Sequence, residues 1–218
     1  NKLWTTAKEW ATAADVEIYK KISEFNPFAD KSCSWFDPWW MFGVKDGFDI
    51  VIGNPPYRQL QKLKNSIQFA NYKYETYSKS ADLYCLFYEK GVQLLKEKGT
   101  LNYITSNSWM RTKYGLALRK FFAEKTNPLQ LVNFENSQVF DTAIVESNIL
   151  ITQKEKFTKQ FRAVNIENDT DESILEYVNK NSIILTELDE NGWIIGNDNS
   201  LSLKKQIDDL REDMQCKS

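Results

Sequence analysis

Apolar positions along this 218-residue chain follow two rhythms. Over residues 5–25, Trp10, Ala14, Ile18 and Ile22 recur near helical spacing with charges between them, which predicts an amphipathic helix. Asn26-Pro27-Phe28 interrupts that pattern, and the aromatic cluster Trp35, Phe36, Trp39, Trp40 and Phe42 reads as an ordered loop. The short apolar run over residues 48–53 predicts a strand, and Asn54-Pro55-Pro56-Tyr57 ends it. Residues 82–97 read as a helix stopped by Gly99 after the basic Lys96 and Lys98. A strand over 100–106, a helix over 114–125 and strands over 129–135 and 143–153 then complete a βαβαββ run. Such alternation predicts an α/β sheet with helices on both faces. Only the short segment 136–142 joins the last two strands, so they are expected to pair antiparallel. Beyond residue 156 the segments shorten. They read as a strand over 161–166, a helix near 172–179, a strand near 182–187, the apolar Trp193-Ile194-Ile195, and a terminal amphipathic helix over about 200–213.

The loop after the first strand carries the most specific chemistry. Consecutive prolines fix φ near −65° and donate no hydrogen bonds, and each preceding residue is driven out of the helical region. Residues 54–57 are therefore extended and stiff, with outward carbonyls. A planar NH2 group fits there, held by the Asn54 carboxamide oxygen and the Pro55 carbonyl, with its ring stacked on Tyr57. Asn-Pro also starts many turns, so the same four residues serve equally well to end a strand. Their place tips the balance, because ligands of open α/β sheets collect beyond the carboxyl ends of strands.

Composition narrows the field. The chain contains no histidine, which removes Ser-His-Asp and Cys-His nucleophiles and any histidine base. Cys33, Cys85 and Cys216 are scattered without a CxxC pair, so no metal site is expected and the thiols read as reduced and structural. No apolar stretch approaches the roughly 20 residues of a membrane span, and a cytoplasmic location is expected. With 42% apolar and 27% charged residues the chain can bury a substantial core. A net charge of −2 does not announce a nucleic-acid binder. Locally the balance reverses, since Arg58, Lys62, Lys64, Lys73 and Lys79 stand against Glu75 and alternate with Tyr72, Tyr74 and Tyr77. That stretch reads either as a phosphate-contacting loop or as an ordinary solvated one.

From residue 36 to about 155 the chain resembles the DNA adenine amino-methyltransferases, and especially the methylase part of type IIG restriction-modification proteins. The residues that carry the resemblance come in order. Phe36-Asp37-Pro38-Trp39-Trp40-Met41-Phe42-Gly43 is similar to a segment before the family's catalytic strand, and Asp46 to Tyr57 resemble that strand and its loop. Ala81-Asp82-Leu83-Tyr84-Cys85-Leu86-Phe87 resembles the helix start that follows, and residues 99–109 the next strand. Val139-Phe140-Asp141-Thr142-Ala143-Ile144-Val145-Glu146-Ser147 resembles the element that supplies a second contact to the target base.

The resemblance implies a partial class I (Rossmann-like) S-adenosylmethionine-dependent methyltransferase sheet with an antiparallel last strand pair. It also implies roles. Asn54, Pro55 and Tyr57 would be catalytic, Phe140 would contact the base, and Pro56, Phe87 and Asp82 would border the cofactor. Taken without the resemblance, Pro56 and Phe87 read more simply as loop and core residues. The aromatic cluster of residues 35–42 either packs beneath the catalytic strand or stacks on bases.

Double-stranded DNA, with the target base flipped from its stack, is the expected partner. Residues 1–155 are expected to form the C-terminal half of a catalytic core. Residues 156–218 would be a linker leading towards a target-recognition domain, or a cap on the sheet. No Gly-x-Gly occurs in the chain, although this fold grips its cofactor through a glycine-rich turn. The chain is therefore expected to be part of a longer protein, to bind S-adenosylmethionine weakly or not at all by itself, and to be open to self-association through an exposed strand edge. A protein glutamine amide methyltransferase, which uses a similar tetrapeptide on another planar amide, and an inactive scaffold or DNA-interaction fragment are the competing readings. A cytosine amino-methyltransferase would more often carry serine in place of Asn54.

Overall fold

The computed structural model describes residues 13–26, 38–63, 66–134, 146–166, 172–188, 190 and 192–196. The chain divides into two compact units, residues 1–45 and 46–218.

In the first unit the expected amphipathic helix is present as α1 (Ala13–Glu24), with Lys21 paired to Glu17 at 2.9 Å. The aromatic segment differs from the expected loop, because Pro38–Phe42 forms a short helix, α2. Proline is suited to a first helical position, and Gly43 at φ +71° closes the turn by donating its N–H to the Trp39 carbonyl at 2.8 Å. Trp39 and Phe42 are both exposed, and the Lys45 ammonium lies 6.0 Å from the Trp39 ring centre.

Among its described residues the second unit has six strands: β1 (Phe48–Gly53), β2 (Leu95–Ser106), β3 (Asn127–Phe134), β4 (Ser147–Gln153), β5 (Phe161–Ile166) and β6 (Ile183–Leu185). They lie in the order β1-β2-β4-β3-β5-β6. β1 and β2 are parallel, β4 runs antiparallel between β2 and β3, and β5 is parallel to β3. The antiparallel pair expected of the 129–135 and 143–153 segments is thus β3 with β4, whose register sets Asn133 opposite Asn148. Among the described residues, four α-helices accompany the strands: α3 (Ser66–Asn71), α4 (Tyr84–Leu94), α5 (Leu116–Lys125) and α6 (Ile174–Asn181). The expected terminal helix over 200–213 and the 136–142 connection lie outside the described residues.

One boundary needs correction. The helix read as running to residue 97 stops at Leu94, because Leu95 already pairs with Phe48 of β1. Residues 96–99 then bulge from the strand through Lys98 at φ +62°, and exchanged backbone bonds with Lys154 close the turn. A charge pattern alone does not reveal that a strand begins before the lysines end.

Alternation along the strands fills two faces. Leu101, Tyr103, Leu131, Leu150, Phe161 and Ala163 join Tyr88, Trp109, Leu118, Phe122 and Trp193 in one core. Val132, Phe134, Val164 and Ile166 gather with Val178 of α6 in a smaller, separate cluster. Helix α4 lies tight on the sheet at Gly91, where an added Cβ would meet Leu101 Cδ1 at 2.3 Å. Cys85, the free cysteine among the described residues, is buried in the larger core, and burial pushes its thiol pKa up.

Candidate functional site

The site begins where β1 ends. After Gly53 the chain stays extended, and its residues alternate: Asn54 exposed, Pro55 buried, Pro56 exposed and Tyr57 half-buried. Pro55 and Tyr57 therefore anchor the loop while Asn54 and Pro56 face outward. Tyr57 packs against the larger core, its ring edge-on to Tyr84 with centroids 6.0 Å apart and planes at 78°. Its hydroxyl is buried and faces the Ser147 side chain. Burial raises the phenol pKa, and the Ser147 side chain, at the start of β4, opposes part of that rise.

After Tyr57 the chain leaves on a long excursion and returns beside itself. Leu60 donates its N–H to the Ala81 carbonyl at 2.9 Å, Leu83 donates to the Arg58 carbonyl at 2.7 Å, and Gln59 bridges Asp82 between them. This neck brings Asp82 to the same cleft as Tyr57. The cleft has a volume of about 500 Å³ and is lined by Tyr57, Arg58, Gln59, Lys62, Leu63 and Asp82, within the usual size of a small-ligand site.

Asp82 is held by residues that sequence reasoning missed. Tyr114 Oη donates to Asp82 Oδ2 at 3.2 Å, and the Tyr84 hydroxyl lies 2.9 Å from that of Tyr114. The two phenols and the carboxylate form a line that ends on the ring supporting Tyr57. Burial raises the Asp82 pKa above the ordinary carboxylate value, with the Tyr114 hydrogen bond and the Lys62 charge pulling the other way. Tyr114 lies 32 residues from its partner, so no local signal marks it.

A second polar layer crosses the ends of the neighbouring strands. Asn107 Nδ2 donates to Asn133 Oδ1 at 2.9 Å and to Glu146 Oε2 at 3.2 Å, Asn133 Nδ2 to Asn165 Oδ1 at 2.9 Å, and Asn165 Nδ2 to the Ile195 carbonyl at 3.0 Å. Arg111 adds an ion pair to Glu146 at 3.7 Å. Buried amides paired in this way leave few alternative arrangements, since each broken link strands a buried polar group. The ladder thereby fixes Glu146, the residue before β4. An asparagine at or just past the end of β2, β3 and β5 is the signal that would have found it.

The structure thus brings Tyr57 and Asp82 to one cleft and leaves Asn54 and Pro56 exposed next to it along the chain. Phe87 is 40% exposed on α4 and does not line this cleft. Phe140 lies outside the described residues.

Comparison with known proteins fits this arrangement. The family model described as Eco57I restriction-modification methylase matches residues 2–140. The type II restriction enzyme and methyltransferase RM.Eco57I of Escherichia coli is 28% identical over 182 residues, covering 78% of this chain and 17% of the relative. The type II methyltransferase M.XhoI of Xanthomonas vasicola is 36% identical over 95 residues, 43% of this chain and 17% of the relative. The chain therefore spans under a fifth of the length of either curated relative. Among solved structures, a modification subunit of a putative type I restriction enzyme from Vibrio vulnificus superposes with a TM-score of 0.53 at 16% identity, over 76% of this chain and 41% of that one. The type I restriction-modification methyltransferase subunit from Streptococcus thermophilus gives 0.50 at 15% identity, over 67% and 36%. The chain shares its sheet fold with these two subunits, and β4 runs antiparallel between β2 and β3. With a match that runs through the Asn54-Pro55-Pro56-Tyr57 loop and covers well over half of its length, the chain belongs to the Eco57I restriction-modification methylase family.

Proposed function

We propose that the protein carrying this chain is an adenine-specific DNA methyltransferase of a type II (IIG) restriction-modification system, which methylates the exocyclic amine of an adenine flipped from its duplex. The observation that carries this reading is the proline-stiffened loop at the end of β1, with Asn54 exposed and Tyr57 on the wall of a cleft.

Asn54 Oδ1 and the Pro55 carbonyl would accept the two amine N–H groups. Conjugation with the ring makes that amine a poor nucleophile. Two acceptors set out of the ring plane favour a pyramidal nitrogen and stabilise the positive charge that develops on it. Tyr57, held on edge by Tyr84, would stack on the base and fix the angle of approach, with Phe140 closing from another side. Bound S-adenosylmethionine supplies a methyl group on a sulfonium sulfur. Asn54 and the Pro55 carbonyl would hold the amine lone pair towards that methyl group, and the surplus amine proton would leave to solvent. No residue need act as a strong base, which agrees with a chain devoid of histidine.

The residues present fit one flank of that cofactor. Pro56 and Phe87 offer exposed apolar surface to an adenine ring, and Asp82 a carboxylate held by Tyr114. The glycine-rich turn for the rest of the cofactor has no counterpart here, since the chain has no Gly-x-Gly, so the chain alone would bind it weakly.

Residues 1–155 would supply half of the catalytic core. Residues 156–218, whose β5 and β6 extend the sheet, would lead on towards a target-recognition domain. β1 ends the sheet with Ile50 and Ile52 exposed, which supports pairing with a further strand or a second copy of the chain. No helix among the described residues is long and apolar enough to cross a membrane, and action on genomic DNA would place the protein in the cytoplasm.

Nucleoside mass spectrometry of DNA incubated with the full-length protein and methyl-labelled S-adenosylmethionine tests the reading. N6-methyladenine is expected. Label on cytosine, or on a protein glutamine, would replace it, and no transfer at all would leave a DNA-binding scaffold.

A further inference from the structure

The excursion between the two sides of the neck is a preformed loop with an inner and an outer side. Inside, the fully buried Thr76 donates its N–H and its hydroxyl to Glu89 Oε2 at 2.9 and 3.0 Å, and Gln93 Nε2 donates to Oε1 at 3.2 Å. Glu89 lies on α4 and is itself only 4% exposed, so this buried carboxylate staples the middle of the loop to the core while the neck holds its ends.

Outside, the same fixing presents a particular chemistry. Tyr72 is 64% exposed and stands edge-on between Phe69 and Tyr74, with centroids 6.3 and 6.5 Å away. Lys73 takes up φ +53°, turning the chain between the two tyrosines. Arg58, Lys62, Lys73 and Lys79 are exposed, and none forms an ion pair among the described residues. The acidic residue of the segment, Glu75, is neutralised by Lys125 at 3.8 Å. Exposed cations on the same loop as a supported, solvent-facing ring match a polymer that carries regular negative charge and flat bases. The loop also departs directly from Tyr57, where the target base is proposed to sit.

We infer that residues 58–63 and 69–81 form the surface that grips the DNA strand beside the flipped base. Arg58, Lys62, Lys73 and Lys79 meet phosphates, and Tyr72 stacks on a base next to the vacated position. This assignment rests on the DNA-methylation reading and names the face that meets the duplex.

Fluorescence anisotropy of the full-length protein with a fluorescein-labelled duplex bearing one mismatched adenine, across a salt series, tests it. Replacing Lys73→Gln and Lys79→Gln together should reduce the slope of log affinity against log salt by about 2. The exposed pair Lys98→Gln and Lys156→Gln, at the opposite end of the sheet, should leave the slope unchanged. Tyr72→Ala should weaken binding roughly 5- to 150-fold, and Tyr72→Phe should restore it. A normal slope indifferent to Lys73 and Lys79, or reduced equally by the Lys98 and Lys156 pair, would overturn the loop assignment and leave the DNA reading standing. Equal binding to polyglutamate would overturn it as well, by showing a general polyanion surface. A full-length wild-type protein with no salt-dependent DNA binding would remove the broader reading on which the inference stands.

Discussion

The two faces of the sheet are finished to different degrees. Beneath α4 and α5, the aromatic rings meet edge to face in a continuous series: Tyr88 and Phe122 at 5.0 Å, Trp109 and Phe122 at 5.2 Å, Trp109 and Trp193 at 5.0 Å, and Phe161 and Trp193 at 5.2 Å. The other face has its small cluster under α6, while at the β1 end Ile50 and Ile52 are 66% and 75% exposed. The ring series does not stop at the core. It runs from Tyr88 to Tyr84 at 6.5 Å and from Tyr84 to Tyr57 at 6.0 Å, so the candidate site hangs from the finished face. The difference teaches that rigidity at residues 54–57 comes from two sources, the prolines within the loop and the aromatic packing on one side of it. The open face contributes to neither.

The comparison can be broken most forcefully at Phe122, which is fully buried among Tyr88, Trp109 and Trp193. Phe122→Ala should cost about 3–5 kcal/mol in urea unfolding. A loss no greater than that of a surface change would mean that the packed face is not what stabilises the unit.

A smaller, pH-dependent effect is expected at Asp82. Burial raises its folded pKa above the ordinary 3.8, so the folded chain holds this proton more tightly than the unfolded chain does. Stability from this group is therefore fully present below the unfolded pKa and is lost as pH rises through the folded pKa. Asp82→Asn should remove that decline and be relatively stabilising at neutral pH. Chemical unfolding across the acid range measures it, and an unaltered pH profile would remove the linkage.

The smallest change belongs to the open face. Ile52→Thr should alter the stability of this chain by no more than about 0.5 kcal/mol, since little surface is buried there. A large loss would show that something in the chain covers β1.

Much of this arrangement was legible in the residues. Strand-like runs over residues 48–53, 129–135, 143–153 and 161–166 marked β1, β3, β4 and β5, and the short connection to the 143–153 segment foretold the antiparallel pair. The tetrapeptide announced both its stiffness and its place at a strand end, because proline acts locally on its own backbone. What escaped was what distance hides. Glu89 meets Thr76 across 13 residues and Tyr114 meets Asp82 across 32, and neither pair has a spacing that a helix or strand repeats. The end of α4 was misplaced for a related reason: Leu95 obeys its pairing with Phe48, a contact that no window around residue 95 contains. Asp82 illustrates the middle case. The helix-start segment singled it out, but only the neck to Gln59 showed that it shares a cleft with Tyr57.

The account turns on residues 54–57 as the chemical centre, and one substitution addresses it directly. In the full-length protein, Asn54→Ala should lower single-turnover methyl transfer by about 10²–10³-fold while DNA affinity stays at the wild-type level. Transfer at the wild-type rate, or a loss explained entirely by weaker DNA binding, would contradict it.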